Sequence, residues 1–371
     1  MKKRILSAVL GIAMVATLLV GCGSGSSDDS SKEDTKTEDT AKDDSGEKTA
    51  ADYKIAVVPK MTNLAWFERM EQGVDDYNEA NGTSVEYCGS PEGDGQAAFV
   101  EGLISQGYDA ICVVPFDVEA LDPVLAKAKE AGIVVICHEA STVENMDYDV
   151  EAFDTLEYGA HLMEKINELS DGKGRVIQTV GALTSQSHVE EAQGGKEWAE
   201  KNAPDLKVDD QPIVSDDNQD TAYSKVKEAL TADTKHEIVG IQCAAMSETP
   251  GAAQAVEELG LQGKVHIAGT SLMSVCGEYV EDGTVELMSF WDPALAGQAM
   301  IELAVATLNG TVGEDTLSLP VEGYENLTLE GKVYTGSAWI DVYKDNCNRS
   351  EEHTSELQSL GNLVCRLLLE K

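Results

Sequence analysis

ISQGYDAICVVPFDVEALDPVLAKAKEAGIVVICHE, Ile104–Glu139, decides the fold. Asp109–Val114 is a short apolar run between Gly107 and Pro115, too short for a helix and suited to a strand buried on both faces. Val118–Ala131 carries Leu121, Val124, Leu125 and Ala128 at helical spacing, with Asp117 as N-cap and Gly132 as stop. Ile133–Cys137 reads as the next strand. Two parallel strands joined by a helix end on the same sheet edge. Pro115-Phe116-Asp117 and His138-Glu139 are therefore predicted side by side at the carboxyl edge, where open α/β sheets bind ligands.

Working outward, the same alternation repeats. Before the unit come a strand at Tyr53–Pro59, a helix at Trp66–Ala80, a strand at Thr83–Cys88 and a helix at Gly95–Gln106; a strand at Tyr148–Ala152 follows it. A second series begins with the helix Leu156–Leu169. It continues through strands at Gly174–Val180, Lys207–Val214, Glu237–Cys243, Val265–Gly269 and Thr284–Phe290, separated by helices. After Trp291-Asp292-Pro293 comes the helix Ala294–Leu308, then short strands near Glu330–Val333 and Trp339–Tyr343. The expected fold class is α/β, with two similar doubly wound lobes. No GxGxxG opens a helix after the first strand, and neither GxxxxGK[ST] nor GxSxG occurs, so dinucleotide binding, NTP hydrolysis and a nucleophile elbow find no support.

The 371 residues allow about two domains plus tails. A formal net charge of −40 repels nucleic acid, so no nucleic-acid partner is expected. Met1–Gly21 reads as a signal peptide, with Lys2, Lys3 and Arg4 before an apolar stretch. Leu19-Val20-Gly21-Cys22 resembles a bacterial lipobox, which makes Cys22 the lipidated residue and the membrane a partner through a lipid anchor; a transmembrane anchor is the competing reading of a run short for one. The span 22–51 is then the lipidated cysteine and an acidic tether with too few apolar residues to fold. At the other end Arg349–Ser359, RSEEHTSELQS, looks like translated sequencing adapter. Residues 349–371 are therefore set aside, the competing reading being an amphipathic helix. Of eight cysteines, none forms CxxC or a metal spacing with histidine, so no metal and no cofactor is expected.

KIAVVPK, WFERMEQGVDDYNEANG and the opening stretch together resemble the sugar-type solute-binding proteins of ABC importers. EYVEDGTVELMSFWDP and AGQAMIELAVATLNG are similar to the branch that holds autoinducer-2 and rhamnose binders. The resemblance spans Tyr53 to about Asn348. It implies the type I periplasmic binding protein fold, with a three-strand hinge between lobe 1 (53–153 plus 292–322) and lobe 2 (155–290 plus 323–348). It also implies a monomer that closes on a small polar ligand (a sugar, a polyol or an autoinducer-2-like molecule) and delivers it to an ABC permease.

Residue by residue, Lys60 matches a lysine that bonds ligand oxygen in the autoinducer-2 binders. Glu139 stands where they have aspartate, Ser187-His188 where they have Asp-Gln, and Ala244 and Met246 where they have proline and alanine. Asp292 is retained. His138 neighbours Glu139, and Trp66, Phe67 and Phe116 are aromatic faces near the strand ends. Each has a plainer reading: a solvated lysine for Lys60, a surface pair for His138-Glu139, a helix cap for Asp292 and His188, core for the aromatics. Two other functions stay open. One is a sensing co-receptor for a membrane signalling protein. The other is a sugar-active enzyme using His138, Glu139 and His188, for which no second carboxylate or nucleophile has a recognisable spacing.

Overall fold

The computed structural model describes residues 48–347, in which the apolar runs become the strands of two sheets. The first series gives β1 (Ile55–Val58), β2 (Glu86–Tyr87), β3 (Ala110–Val113), β4 (Val134–Cys137) and β5 (Tyr148–Glu151). The second gives β6 (Gly174–Val180), β7 (Leu206–Val208), β8 (Ile213–Val214), β9 (Ile238–Cys243), β10 (His266–Thr270) and β11 (Leu287–Phe290). The last segment adds β12 (Thr316–Leu317), β13 (Leu327–Glu330), β14 (Val333–Thr335) and β15 (Ile340–Val342). One sheet runs β12-β13-β14-β5-β4-β3-β1-β2; the other runs β15-β11-β10-β9-β6-β7, with β8 also beside β6.

Helices cover both sheets: α1 (Ala65–Asn81), α2 (Gln96–Ile104), α3 (Val118–Glu130), α4 (Thr155–Leu169), α5 (Gln186–Asn202), α6 (Gln219–Ala232), α7 (Glu248–Glu258), α8 (Met273–Asp282) and α9 (Pro293–Asn309). The β3-α3-β4 unit forms as its sequence requires. All four residues of β3 are buried, and the Asp117 carboxylate accepts from the Ala120 N–H at 2.9 Å. Val113 pairs in parallel with Cys137, so Phe116 and Glu139 emerge at one edge. In the second lobe α4 and α5 cross backbone to backbone. A Cβ on Gly159 would lie 1.9 Å from the Glu191 carbonyl oxygen, and one on Gly194 would lie 2.1 Å from that of Leu156. Only glycine permits this approach, which fixes α5 against α4 at Glu191 and Gly194.

The chain passes between the sheets after β5, after β11 and after β14. Each passage carries one aromatic: Phe153, Trp291 and Trp339. Phe153 meets Trp291 edge-on with centroids 5.1 Å apart and Trp339 at 5.4 Å. The first and third passages are also tied by backbone bonds from Gly336 N–H to Glu151 O and from Ala338 N–H to Ala152 O, both 2.9 Å.

Two expectations are corrected. Residues 323–348 do not all belong to lobe 2: β13 and β14 form a hairpin about Gly331, and β14 pairs in parallel with β5 of the first sheet. What the sequence suggested as a strand near Glu330–Val333 is the turn itself. β5 offers a free edge, and Tyr334, fully buried, packs its ring 5.3 Å from Tyr148. Only β15 joins the second sheet, antiparallel to β11. The folded body also starts before Tyr53, since Ala50 is buried and Asn309 donates to the Lys48 carbonyl at 2.7 Å. The signal, Cys22 and most of the tether lie outside the described residues, as do Asn348 and the span 349–371.

Candidate functional site

Between the lobes lies a cavity of about 30 Å³, lined from the first lobe by Lys60, Leu64, Trp66, Phe67 and Glu139 and from the second by His188, Asp217, Met246 and Thr270, with Trp291 at the hinge. Roughly 300–1,000 Å³ is usual for a small-molecule pocket, so the cavity as it stands is too small for a molecule of sugar size.

Lys60 follows β1 and is 4 % exposed. Its Nζ lies 2.5 Å from Glu139 Oε2, 3.0 Å from Ser185 Oγ and 3.3 Å from Ser187 Oγ. Ser187 Oγ in turn donates to Glu139 Oε2 at 2.9 Å. Lys60 and Glu139 belong to one lobe, Ser185 and Ser187 to the other, so this cluster latches the cleft. At the rim Gln186 adds a second tie, its Nε2 donating to Ser141 Oγ at 2.8 Å and its Oε1 accepting from the Thr142 N–H at 3.2 Å. Burial alone would push the Glu139 carboxyl up; the Lys60 ammonium overrides it and holds the group at about 2. Glu139 also occupies the left-handed region with φ 57°. That conformation costs a non-glycine residue roughly 1–2 kcal/mol, and here it turns the carboxylate from the end of β4 toward Lys60.

His138 is spoken for. Its Nδ1 faces the Val150 carbonyl at 2.6 Å, so Nδ1 carries the proton, and Nε2 accepts from Trp291 Nε1–H at 3.1 Å. Both ring nitrogens are used in fastening β4 to the hinge, and neither opens on the cavity. His188 is different. Burial, reinforced by Lys60, depresses it to about 4, so the ring is neutral near pH 7. Nδ1 accepts from the Gly181 N–H at 3.2 Å, which leaves the proton on Nε2 as a donor.

The second-lobe loops are set by buried acids. Glu248, fully buried, accepts from Ser215 Oγ at 2.6 Å, Thr179 Oγ1 at 3.1 Å and the Ala245 N–H at 2.8 Å. It thereby holds the Ala244–Met246 loop and the loop leading to Asp217. Burial pushes its carboxyl up to about 8. Glu191 is also raised well above the ordinary range by burial, and accepts from Thr270 Oγ1 at 3.2 Å. Behind the first-lobe face, burial likewise raises Asp149 and Glu151, two apart on β5, and Glu151 holds the Ala140 N–H at 3.1 Å.

Of the candidates from sequence, the fold brings Lys60, Trp66, Phe67, Glu139, His188, Ala244 and Met246 to the cavity, with Ser187 bonded just behind. Three stand elsewhere. His138 is enclosed, as described. Phe116 lies farther out along the cleft. Asp292 receives a two-pronged bond from Arg69 at 3.0 and 2.7 Å and caps α9 through the Ala294 N–H at 2.9 Å, so its oxygens are taken. Asp217, Thr270 and Trp291 were missed as site residues. Asp216-Asp217 follows a short strand in the Ser-Asp-Asp-Asn run before α6, and its place at a carboxyl edge was the available signal. Among the described residues no group of three or more His, Cys, Asp or Glu side chains is placed to hold a metal ion.

Comparison with known proteins agrees with this geometry. The model of the periplasmic binding protein domain family matches residues 55–311. The chain belongs to that family. Its members are extracytoplasmic binding proteins and not enzymes. This periplasmic binding protein is 29% identical over 267 residues to the xylitol-binding protein of Mycolicibacterium smegmatis, covering 68% of this chain and 70% of that one. In structure it is similar to LsrB of Clostridium saccharobutylicum in complex with AI-2, at 20% identity and a TM-score of 0.71, covering 80% of this chain and 99% of that one. A solute-binding protein of an ABC transporter from Clostridium phytofermentas, with bound L-rhamnose, gives 22% identity and a TM-score of 0.72, covering 80% and 97%. At these identities the two structures establish the type I fold expected from the sequence. Among the described residues no helix is long and apolar enough to cross a membrane.

Proposed function

We propose that the protein is a lipid-anchored receptor that captures one small polyhydroxylated molecule, a sugar, polyol or AI-2-like compound, between its lobes and delivers it to an ABC importer. The observation that carries this reading is the chemistry of the cavity. Lys60 and His188 Nε2–H donate; Glu139, Asp217 and Thr270 accept; Trp66, Phe67 and Trp291 supply apolar walls. Hydroxyl groups both donate and accept, so a polyol can meet both sets at once, while a lone cation or anion meets only one. Charge-assisted bonds of this kind contribute roughly 1.5–3 kcal/mol each. The names of the relatives, xylitol and L-rhamnose binders, agree with that class.

On this reading the Lys60-Glu139-Ser187 cluster exchanges its mutual bonds for bonds to the ligand when the lobes reclose. A thermal-shift screen of monosaccharides, sugar acids, polyols and AI-2 tests it, because a ligand of the native state alone raises the melting temperature. No shift from any class would sink the proposal. The anchor is tested separately: Cys22→Ser should leave the precursor unprocessed, and unchanged processing removes the lipid from the picture.

A further inference from the structure

The small cavity does not end blindly. Leu64, Asp217 and Met246 also line a vestibule of about 630 Å³ that opens outward between the lobes, so these three residues form the neck between an inner and an outer space. The outer space has its own aromatic wall. The ring of Phe116 lies directly against Gly93, where a Cβ would come within 2.3 Å of it. A residue with any side chain there would displace the ring, so the glycine seats Phe116 at the vestibule wall. Opposite stand Asp216 and Asn218 of the second lobe, and Asn63 and Asp94 complete a polar border on the first.

The neck is built at a conformational cost. Asp216 and Asp217 are consecutive non-glycine residues in the left-handed region, with φ 60° and 51°. Such residues persist where the surroundings hold them and cluster at ligand clamps. Here the surroundings are visible: Asp216 N–H donates to the Gly181 carbonyl at 2.9 Å, and the Asp217 carboxylate covers Gly181, where a Cβ would lie 2.1 Å from Oδ1. The result puts one carboxylate at the neck and the other on the vestibule.

We propose that the vestibule is a second subsite, which takes the next sugar ring of an oligosaccharide whose first ring fills the inner cavity. The inference rests on the sugar-binding reading above and extends it from ligand class to ligand length. A flat aromatic wall facing carboxylates and amides suits a ring with apolar C–H faces and hydroxyl edges. The acids at the border disfavour an anionic extension and accept from hydroxyls.

The test is calorimetric titration of the purified protein with D-xylose, D-glucose and D-galactose alongside xylobiose, cellobiose, maltose and lactose. At least one disaccharide should bind about tenfold or more tighter than its component monosaccharide. In Phe116→Ala that ratio should fall to near one, and Phe116→Trp, which keeps a flat wall, should retain it. Circular dichroism checks that both variants fold, and the wild-type ratio stands as a test if Phe116→Ala does not. If a monosaccharide binds and no disaccharide containing it binds tighter, the second subsite is overturned and the receptor for a single ring remains. If no sugar of either size binds, the subsite falls together with the reading it rests on.

Discussion

The two faces of the cleft handle buried carboxyls in opposite ways. On the first-lobe face Glu139 is paired with Lys60 and held at about 2, so it stays charged when the cleft is shut. On the second-lobe face Glu191 and Glu248 have no cation in contact among the described residues; Ser215, Thr179, Thr270 and a backbone N–H are their partners, and burial pushes both upward. A carboxyl with a counter-ion keeps its charge and can exchange partners with a ligand. One with only neutral donors is pushed toward its protonated form and serves as a brace. The same residue type thus becomes latch or brace according to whether a cation is within reach.

The largest break in that contrast is Lys60→Ala, which shuts an uncompensated carboxylate into the cleft. Removing one partner of a buried pair costs roughly 3–5 kcal/mol. On the proposed mechanism the lobes part and readmit water, so the cost should fall on closure more than on folding. Ligand affinity should drop by at least about a hundredfold and small-angle scattering should report an opened form; wild-type affinity would show that the pair is no latch. Glu139→Gln should act less strongly, about tenfold to a hundredfold weaker, since the shape and one acceptor survive. Its pH signature is specific. A carboxyl depressed from 4.5 to about 2 contributes above its unfolded value and loses that contribution as pH falls through the folded one. Wild-type closure should therefore weaken between about pH 4.5 and 2, and the glutamine variant should lack that part of the loss.

The brace predicts the reverse slope. With Glu248 raised from 4.5 to about 8, the folded state keeps a proton that the unfolded chain releases between those values. Stability should thus decline as pH rises from about 4.5 to about 8. Glu248→Gln imitates the protonated form and should flatten this decline, measured as denaturant midpoints across pH; an unchanged slope would mean the carboxyl is ionised after all. A smaller effect belongs to Asp292→Ala, which removes the Arg69 fork and the α9 cap. It should lower stability by about 1–2 kcal/mol and leave the affinity of the folded fraction unchanged, and weakened binding by intact protein would return Asp292 to the site. Deleting residues 349–371 should change neither stability nor binding.

Much of this was legible in the chain. Asp109–Val114 and Ile133–Cys137 are apolar runs too short for helices, and β3 and β4 formed from them without a shift of face. Lys60 and Glu139 were readable as candidates for the cleft because both follow strands at a carboxyl edge, and a strand's end is a local property. Asp292 was equally well placed by that rule. What separates it is Arg69, 223 positions away in sequence, which claims both of its oxygens. His138 is set apart for the same kind of reason: its two ring partners are Val150, in β5, and Trp291, in a passage between the lobes.

The last strands show the limit most plainly. Leu327–Glu330 and Val333–Thr335 alternate well enough to be strands, but alternation states only that a residue will face a core. Which sheet supplies that core depended on the free edge of β5, an object that exists only after the first lobe has folded. The sequence by itself determined the α/β alternation, the two lobes and the strand-end positions from which a ligand can be met, because each follows from short-range periodicity and from caps and breakers within a few residues. Tertiary structure alone decided which carboxyl is charged, which histidine is free to donate and where the chain's last strands go, because solvent exclusion, counter-ions and edge pairing are set by residues that are far apart until the lobes come together.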